Sequence, residues 1–149
     1  IQEGLANFKG LPYRIERIRE VDDVEYYNDS YSTSPPATRV ALHALHSPII
    51  LIAGGYDRGA DYREFSSYLA EESKIKKILL IGQTSPKIAE HISTEKYEIL
   101  PDLEQAVKNA HEIAESGDTV LFSPGCASFD MFKDFNDRGR KFTELVENL

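Results

Sequence analysis

Short runs of aliphatic and β-branched residues recur along the chain, and helix-like stretches fill the gaps between them. Ile49 to Ala53, Lys77 to Ile81, Tyr97 to Leu100 and Thr119 to Ser123 are such runs, each bounded by polar or turn-forming residues. This alternation predicts a mostly parallel sheet with helices on both faces. Ahead of it, Tyr13 to Arg19 and Val24 to Asn28 predict an N-terminal β-hairpin. The acidic run Glu20 to Glu25 (EVDDVE) reads as its solvated turn and is given no function. Two hairpin strands and four later runs make an α/β three-layer sandwich with a sheet of about six strands.

The helix-like stretches carry start signals. Ser34 precedes Pro35, Asp61 stands three residues before Glu64, and Asp102 three before Gln105, so N-caps are expected at all three. Between Leu103 and Ala114 the positions Leu103, Ala106, Val107, Ala110, Ile113 and Ala114 follow one helical face, with Gly117 placed to end the helix and His111 off the stripe. A last helix should bury Phe132, Phe135, Phe142, Leu145 and Val146, each Leu- or Ile-sized side chain contributing roughly 1.5–3 kcal/mol. The opening IQEGLANFKGLP reads as the tail of a preceding helix followed by a linker, residues 1–12, in a piece of a longer protein. Residues 13–149 then form a single domain.

Composition narrows the chemistry. A chain of 149 residues fits one domain. With 17 Lys and Arg against 25 Asp and Glu, the net charge of −8 repels phosphate backbones and anionic lipid, so neither nucleic acid nor a membrane is an expected partner. One Cys allows no internal disulfide, and four scattered His match no zinc spacing, so no metal site is expected. The longest apolar runs fall far below the ~20 residues of a membrane span, and no basic-then-apolar leader opens the chain. The expectation is a cytoplasmic protein.

Ligands of open parallel sheets bind beyond the carboxyl ends of the strands, where loops feed helix N-termini. Four loops qualify: Asn28 to Ala37 (NDSYSTSPPA), Gly54 to Tyr62 (GGYDRGADY), Gly82 to Lys87 (GQTSPK) and Ser123 to Asp130 (SPGCASFD). In the first, Asp29 can accept hydrogen bonds from a ribose, and the hydroxyls of Ser30, Tyr31, Ser32 and Thr33 can reach a carboxylate or simply cap the next helix. In the second, the glycines permit close backbone approach and Arg58 offers a planar fork to a carboxylate or phosphate; alternatively Arg58 pairs with Asp57 or Asp61 on the surface. In the fourth, Ser128 can serve an anion or, like Asp130, cap the final helix. Cys126 has no neighbouring His to activate it and reads as a small buried filler. No GxxxxGK[ST], GxGxxG, HExxH or GxSxG occurs, so a phosphate cradle for any consumed nucleotide must lie elsewhere.

Taken together, Gly10-Leu11-Pro12-Tyr13-Arg14-Ile15-Glu16, the Asn28-Asp29-Ser30 loop with Thr33 and Pro36-Ala37-Thr38, GGYDRGADY, and SPGCASFDMF through Phe135, Asp137, Arg138 and Gly139 resemble the C-terminal domain of the Mur ligase family, over essentially the whole chain. The resemblance implies a Rossmann-like fold in a three-domain, ATP-dependent amide ligase, in its D-glutamate-adding branch. The N-terminal domain would hold the UDP-sugar substrate, UDP-N-acetylmuramoyl-L-alanine. The central domain would carry the phosphate loop and the Mg2+ ligands, and this domain would close over it as part of a monomer, inactive alone. By the same resemblance Arg14, Asp29 and Ser30 face ATP, Arg14 at phosphate and Asp29 at ribose. Thr33, Arg58, Ser128 and Phe135 surround D-glutamate, with Phe129 lining that pocket. No catalytic residue is expected in this chain. The family usually has lysine where Tyr31 and Arg58 stand; Arg58 keeps the charge, Tyr31 loses it, and no role is carried over to Tyr31. The competing readings are the closing domain of another Mur or folylpolyglutamate-type ligase, and a stand-alone α/β binding module.

Overall fold

The computed structural model describes residues 10–46 and 48–149. Of the helix tail and linker expected over residues 1–12, residues 1–9 lie outside the described residues. In chain order the elements are β1 (Glu16–Val21), β2 (Val24–Asn28), α1 (Pro35–Ala44), β3 (Ile49–Ala53), α2 (Arg63–Glu71), β4 (Ile75–Leu80), α3 (Ser85–Ala89), β5 (Tyr97–Ile99), α4 (Leu103–Ile113), β6 (Thr119–Phe122) and α5 (Phe135–Glu147). They build one sheet in the order β1-β2-β6-β3-β4-β5. The β1–β2 pair is antiparallel and every other pair is parallel.

Strand periodicity divides the core into two layers. Ile49, Leu51, Ala53, Ile78, Leu80 and Leu121 face Ala41, Leu42, Phe65, Leu69 and Ile88 from α1, α2 and α3. Their alternates Ile50, Ile52, Leu79, Ile81, Val120 and Phe122 face Leu103, Ala106, Val107, Ala110, Phe142 and Val146 from α4 and α5. β3 is buried at all five positions, as a strand covered on both faces must be. The helix after β6 therefore lies on the face opposite those after β2 and β3. The connections thus switch faces at β6, the kind of place where open α/β sheets bind their ligands.

Several boundaries differ from expectation for local reasons. The hairpin turn is not six residues but two: Asp22 and Asp23, at φ 52° and 62°, form a primed turn whose twist suits the hairpin, and Val21 pairs with Val24. Glu20 and Glu25 are paired strand residues, bridged by the Arg17 guanidinium at 3.0 and 2.7 Å. β1 begins at Glu16 rather than Tyr13 because Tyr13 and Ile15 are left-handed, and its register slips between Arg17 and Arg19. β4 starts earlier than expected, at Ile75.

Asp102 caps α4, accepting from the Gln105 N–H at 2.8 Å, while Asp61 takes the first N–H of α2, that of Arg63, at 2.9 Å from one residue before the N-cap. Tyr62 holds the N-cap itself, and Glu64 pairs with Arg39 instead of turning back. α4 ends at Ile113, four residues before Gly117, which sits at φ 90° in the following turn. α5 is capped by neither Ser128 nor Asp130. It starts at Phe135 with Asp134 accepting from the Asp137 N–H at 2.8 Å, which leaves Phe132 outside the helix.

The carboxyl ends of α1 and α2 are closed by lysines from distant segments. Lys74 Nζ donates to the carbonyls of Leu42, His43 and Leu45, and Lys96 Nζ to those of Leu69, Ala70 and Glu72. Each cation satisfies helix-terminal acceptors and complements the negative end of the helix dipole.

Candidate functional site

All four candidate loops follow the carboxyl ends of parallel strands β2, β3, β4 and β6 and so meet at one rim of the sheet. They are laced together by backbone bonds. Gly54 N–H donates to Pro124 O, Tyr56 N–H to Ala127 O, Thr84 N–H to Gly55 O and Gly125 N–H to Ser32 O. Gly54 and Gly55 do what their position suggested, since a Cβ on either would collide with the backbone of Ile81 or Ala127.

Asp29 is 1% exposed at the head of the first loop. Its carboxylate accepts from the Ile15 N–H at 3.1 Å and the Ser123 hydroxyl at 2.6 Å. Burial pushes its pKa above the ordinary carboxylate value, and the bonds from Ser123, Ser32 and Ile15 pull the other way. Ser30 is engaged within the fold: its hydroxyl donates to Phe135 O at 2.8 Å and accepts from Arg138 Nε at 3.0 Å.

Arg14 is carried by an unusual stretch of backbone. Tyr13 and Ile15 on either side are at φ 60° and 48°, a conformation that costs on the order of 1–3 kcal/mol each and persists where surrounding contacts impose it. The contacts are present. Tyr13 O accepts from the Tyr31 N–H, the Tyr13 ring lies against Gly139, and the Ile15 N–H is held by Asp29. Arg14, Asp29, Tyr31 and Thr33 together line a cleft of about 260 Å³.

Arg58 stands on the other side of β6. The surface pairing considered for it does not form. Asp57 takes Lys87 at 2.7 Å and the Gly59 N–H at 2.8 Å, Asp61 takes Arg63 at 2.6 Å, and the exposed Arg58 guanidinium rests 5.6 Å from the centre of the Phe129 ring. Those partners hold Asp57 below the usual carboxylate range and Asp61 at about 2. Phe129 is exposed and meets Tyr56 edge to face at 6.1 Å, while Ser128 beside it is buried. Thr33 and Phe135 are not grouped with Arg58. Thr33 lines the Arg14 cleft and Phe135 packs edge-on against Tyr31 at 5.2 Å. The site residues therefore form two clusters on one rim.

The residue that joins the clusters went unassigned from sequence. Arg138 is 1% exposed; its guanidinium donates to Ser30 O at 2.8 Å, Ser30 Oγ at 3.0 Å and Cys126 O at 2.9 Å, tying the first loop to the fourth. Burial lowers its pKa to about 10, which still leaves it charged at neutral pH. Its place on the first turns of α5, among charged neighbours, gave no sign of burial. Cys126 is the buried filler expected, its thiol pushed up by burial and 3.3 Å from Thr84 Oγ1, conditions that suppress the thiolate. His43, His46 and His91 are exposed, and His111 Nδ1 lies 3.0 Å from the Tyr26 hydroxyl. No group of three or more His, Cys, Asp or Glu that could hold a metal ion occurs among the described residues, and no helix of theirs is long and apolar enough to cross a membrane.

Comparison with known proteins places this rim in context. Residues 13–126 match the family model for the Mur ligase glutamate ligase domain. Over its whole length the chain is 45% identical to the UDP-N-acetylmuramoylalanine–D-glutamate ligase of Caldicellulosiruptor saccharolyticus and 47% identical to that of Thermoanaerobacter pseudethanolicus. It spans about a third of the length of these curated relatives, 33% and 34%. Among solved structures, MurF ligase from Thermotoga maritima in complex with ADP superposes with a TM-score of 0.67 at 22% identity, covering 97% of this chain and 32% of that one. A bifunctional folylpolyglutamate synthase/dihydrofolate synthase from Yersinia pestis gives 0.67 at 19% identity, covering 92% and 32%. At such identities the likeness speaks for the fold alone.

Proposed function

The chain belongs to the Mur ligase family, as its glutamate ligase domain, and from that membership we propose that it is the C-terminal domain of a bacterial, cytoplasmic ligase that adds D-glutamate to UDP-N-acetylmuramoyl-L-alanine in peptidoglycan synthesis. The observation that carries this reading is the 45% identity, over the whole of this chain and a third of the relative, to a ligase whose name includes D-glutamate. In this reading residues 1–12 lead in from a central domain, residues 13–149 form the closing domain, and the whole enzyme is a monomer.

The division of labour follows from the residues at hand. Arg14 neutralises phosphate charge on ATP; Asp29, expected at the ribose, is buried with its carboxylate held by Ile15 and Ser123 and so organises the cleft from behind, with Ser30 acting through the loop it anchors. Arg58 takes a carboxylate of D-glutamate bidentately, beside Ser128 and Phe129. Thr33 and Phe135, placed near Arg14, face the amino acid from the nucleotide side. An acidic protein holds a dianion this way only at short range, because its general field repels it. Among the described residues no group of three or more His, Cys, Asp or Glu could hold the Mg2+ that accompanies ATP, and in this reading its ligands belong to the central domain.

The test has two parts. The 149-residue chain mixed with ATP, D-glutamate and the nucleotide precursor releases no phosphate, and turnover by it alone overturns the proposal. The full-length protein, offered D-glutamate, L-lysine, diaminopimelate and folates, takes D-glutamate; use of another acceptor moves it to a different ligase of the superfamily.

A further inference from the structure

Tyr31 lines the Arg14 cleft, and the family resemblance carries no role over to it. Its ring is 48% exposed, so it fills no core. It is nevertheless fixed on three sides: the backbone N–H donates to Tyr13 O at 2.9 Å, the ring meets Phe135 at 5.2 Å and 77°, and the Arg14 guanidinium carbon lies 5.7 Å from the ring centre. That separation is within cation–π range. Among the described residues no carboxylate ion-pairs with Arg14, and the buried Asp29 beside it is already bonded to Ile15 and Ser123.

We infer that Tyr31 is a positioning residue: its face is the rest on which the Arg14 guanidinium waits over the mouth of the cleft, aimed at an incoming polyphosphate. The inference rests on the reading that Arg14 meets ATP. A free arginine must give up many rotamers when it grips a ligand, and a side chain already parked in the gripping pose gives up fewer. The strained backbone at Tyr13 and Ile15 fixes where Arg14 leaves the chain, and the Tyr31–Phe135 pair fixes where its charged end lies. Here the charge that reaches phosphate belongs to Arg14, and the aromatic face supplies direction. The guanidinium meets the ring rather than the hydroxyl, so phenylalanine should replace tyrosine.

Two measurements test this. In NMR spectra of the 149-residue chain, the Arg14 side-chain protons carry a ring-current shift that Tyr31→Phe keeps and Tyr31→Leu abolishes. In the full-length protein, Tyr31→Leu raises KM for ATP about threefold to tenfold, the range of a partly exposed cation–π contact, while kcat and KM for D-glutamate stay within about twofold. Tyr31→Phe restores the wild-type value, and Tyr31→Leu has no added effect once Arg14 is alanine. An unshifted Arg14, or a Tyr31→Leu effect that persists without Arg14, overturns the inference. If Arg14→Ala leaves KM for ATP unchanged, it is the reading of Arg14 that fails, and the ring-current result then shows separately whether Tyr31 holds the side chain.

Discussion

Two arginines on the same rim each lean on an aromatic ring, yet they are held in opposite ways. Arg14 leaves the chain between two left-handed residues whose conformation is imposed by Asp29, Tyr31 and Gly139. Arg58 sits among exposed loop residues, its acidic neighbours taken by Lys87 and Arg63, with the exposed Phe129 ring beneath it. One cation is preset by distant parts of the fold; the other can adjust to what arrives. In the proposed function the preset cation meets the phosphates and the adjustable one the amino acid.

The largest expected effect comes from the residue both sides share. Arg138→Met leaves the carbonyls of Ser30 and Cys126 without their buried donor and should destabilise the chain by about 3–5 kcal/mol in urea unfolding. Gly139→Ala drives a methyl group into the Tyr13 ring and should cost about 1–3 kcal/mol, while disturbing Arg14 and sparing Arg58. Equal disturbance of both arginines, read from their NMR shifts, would erase the contrast.

Asp29→Asn acts mainly through pH. Because burial raises the Asp29 pKa, the folded chain binds this proton more tightly than the unfolded one. Its contribution to stability is therefore greatest below the ordinary value of 3.8 and falls as pH rises through the folded pKa. Stability of the wild type minus that of Asp29→Asn should decline across that window, and a rise would reverse the sign assigned to burial. The smallest effect is expected at Arg58→Ala, within about 0.5 kcal/mol in stability because the side chain is exposed, together with a KM rise for D-glutamate well beyond that for ATP in the full-length protein.

Most of the architecture was legible because strand and helix periods write themselves into the apolar pattern. Ile49 to Ala53 matched its strand residue for residue, and the Leu103 stripe matched its helix as far as Ile113. What escaped was non-local. Lys74 and Lys96 close helices about 30 residues away, and nothing near them in sequence marks that task. Arg138 reads as another charge on an amphipathic helix until the loops from Ser30 and Cys126 arrive to surround it. The left-handed Tyr13 and Ile15 carry no glycine or asparagine signal, because tertiary contacts impose their conformation. At the candidate site, the motifs correctly brought four loops to one rim. The split into two clusters followed from which side of β6 each loop leaves, a matter of topology that spacing alone does not encode.

The slip of register in β1 has a consequence beyond the hairpin. As the outermost strand it could template recruitment of another polypeptide, but its kink between Arg17 and Arg19, with charged Arg17 and Glu20 facing outward, denies a newcomer an even ladder to zip onto. Copies of the chain at high concentration are thus discouraged from joining through the β1 border.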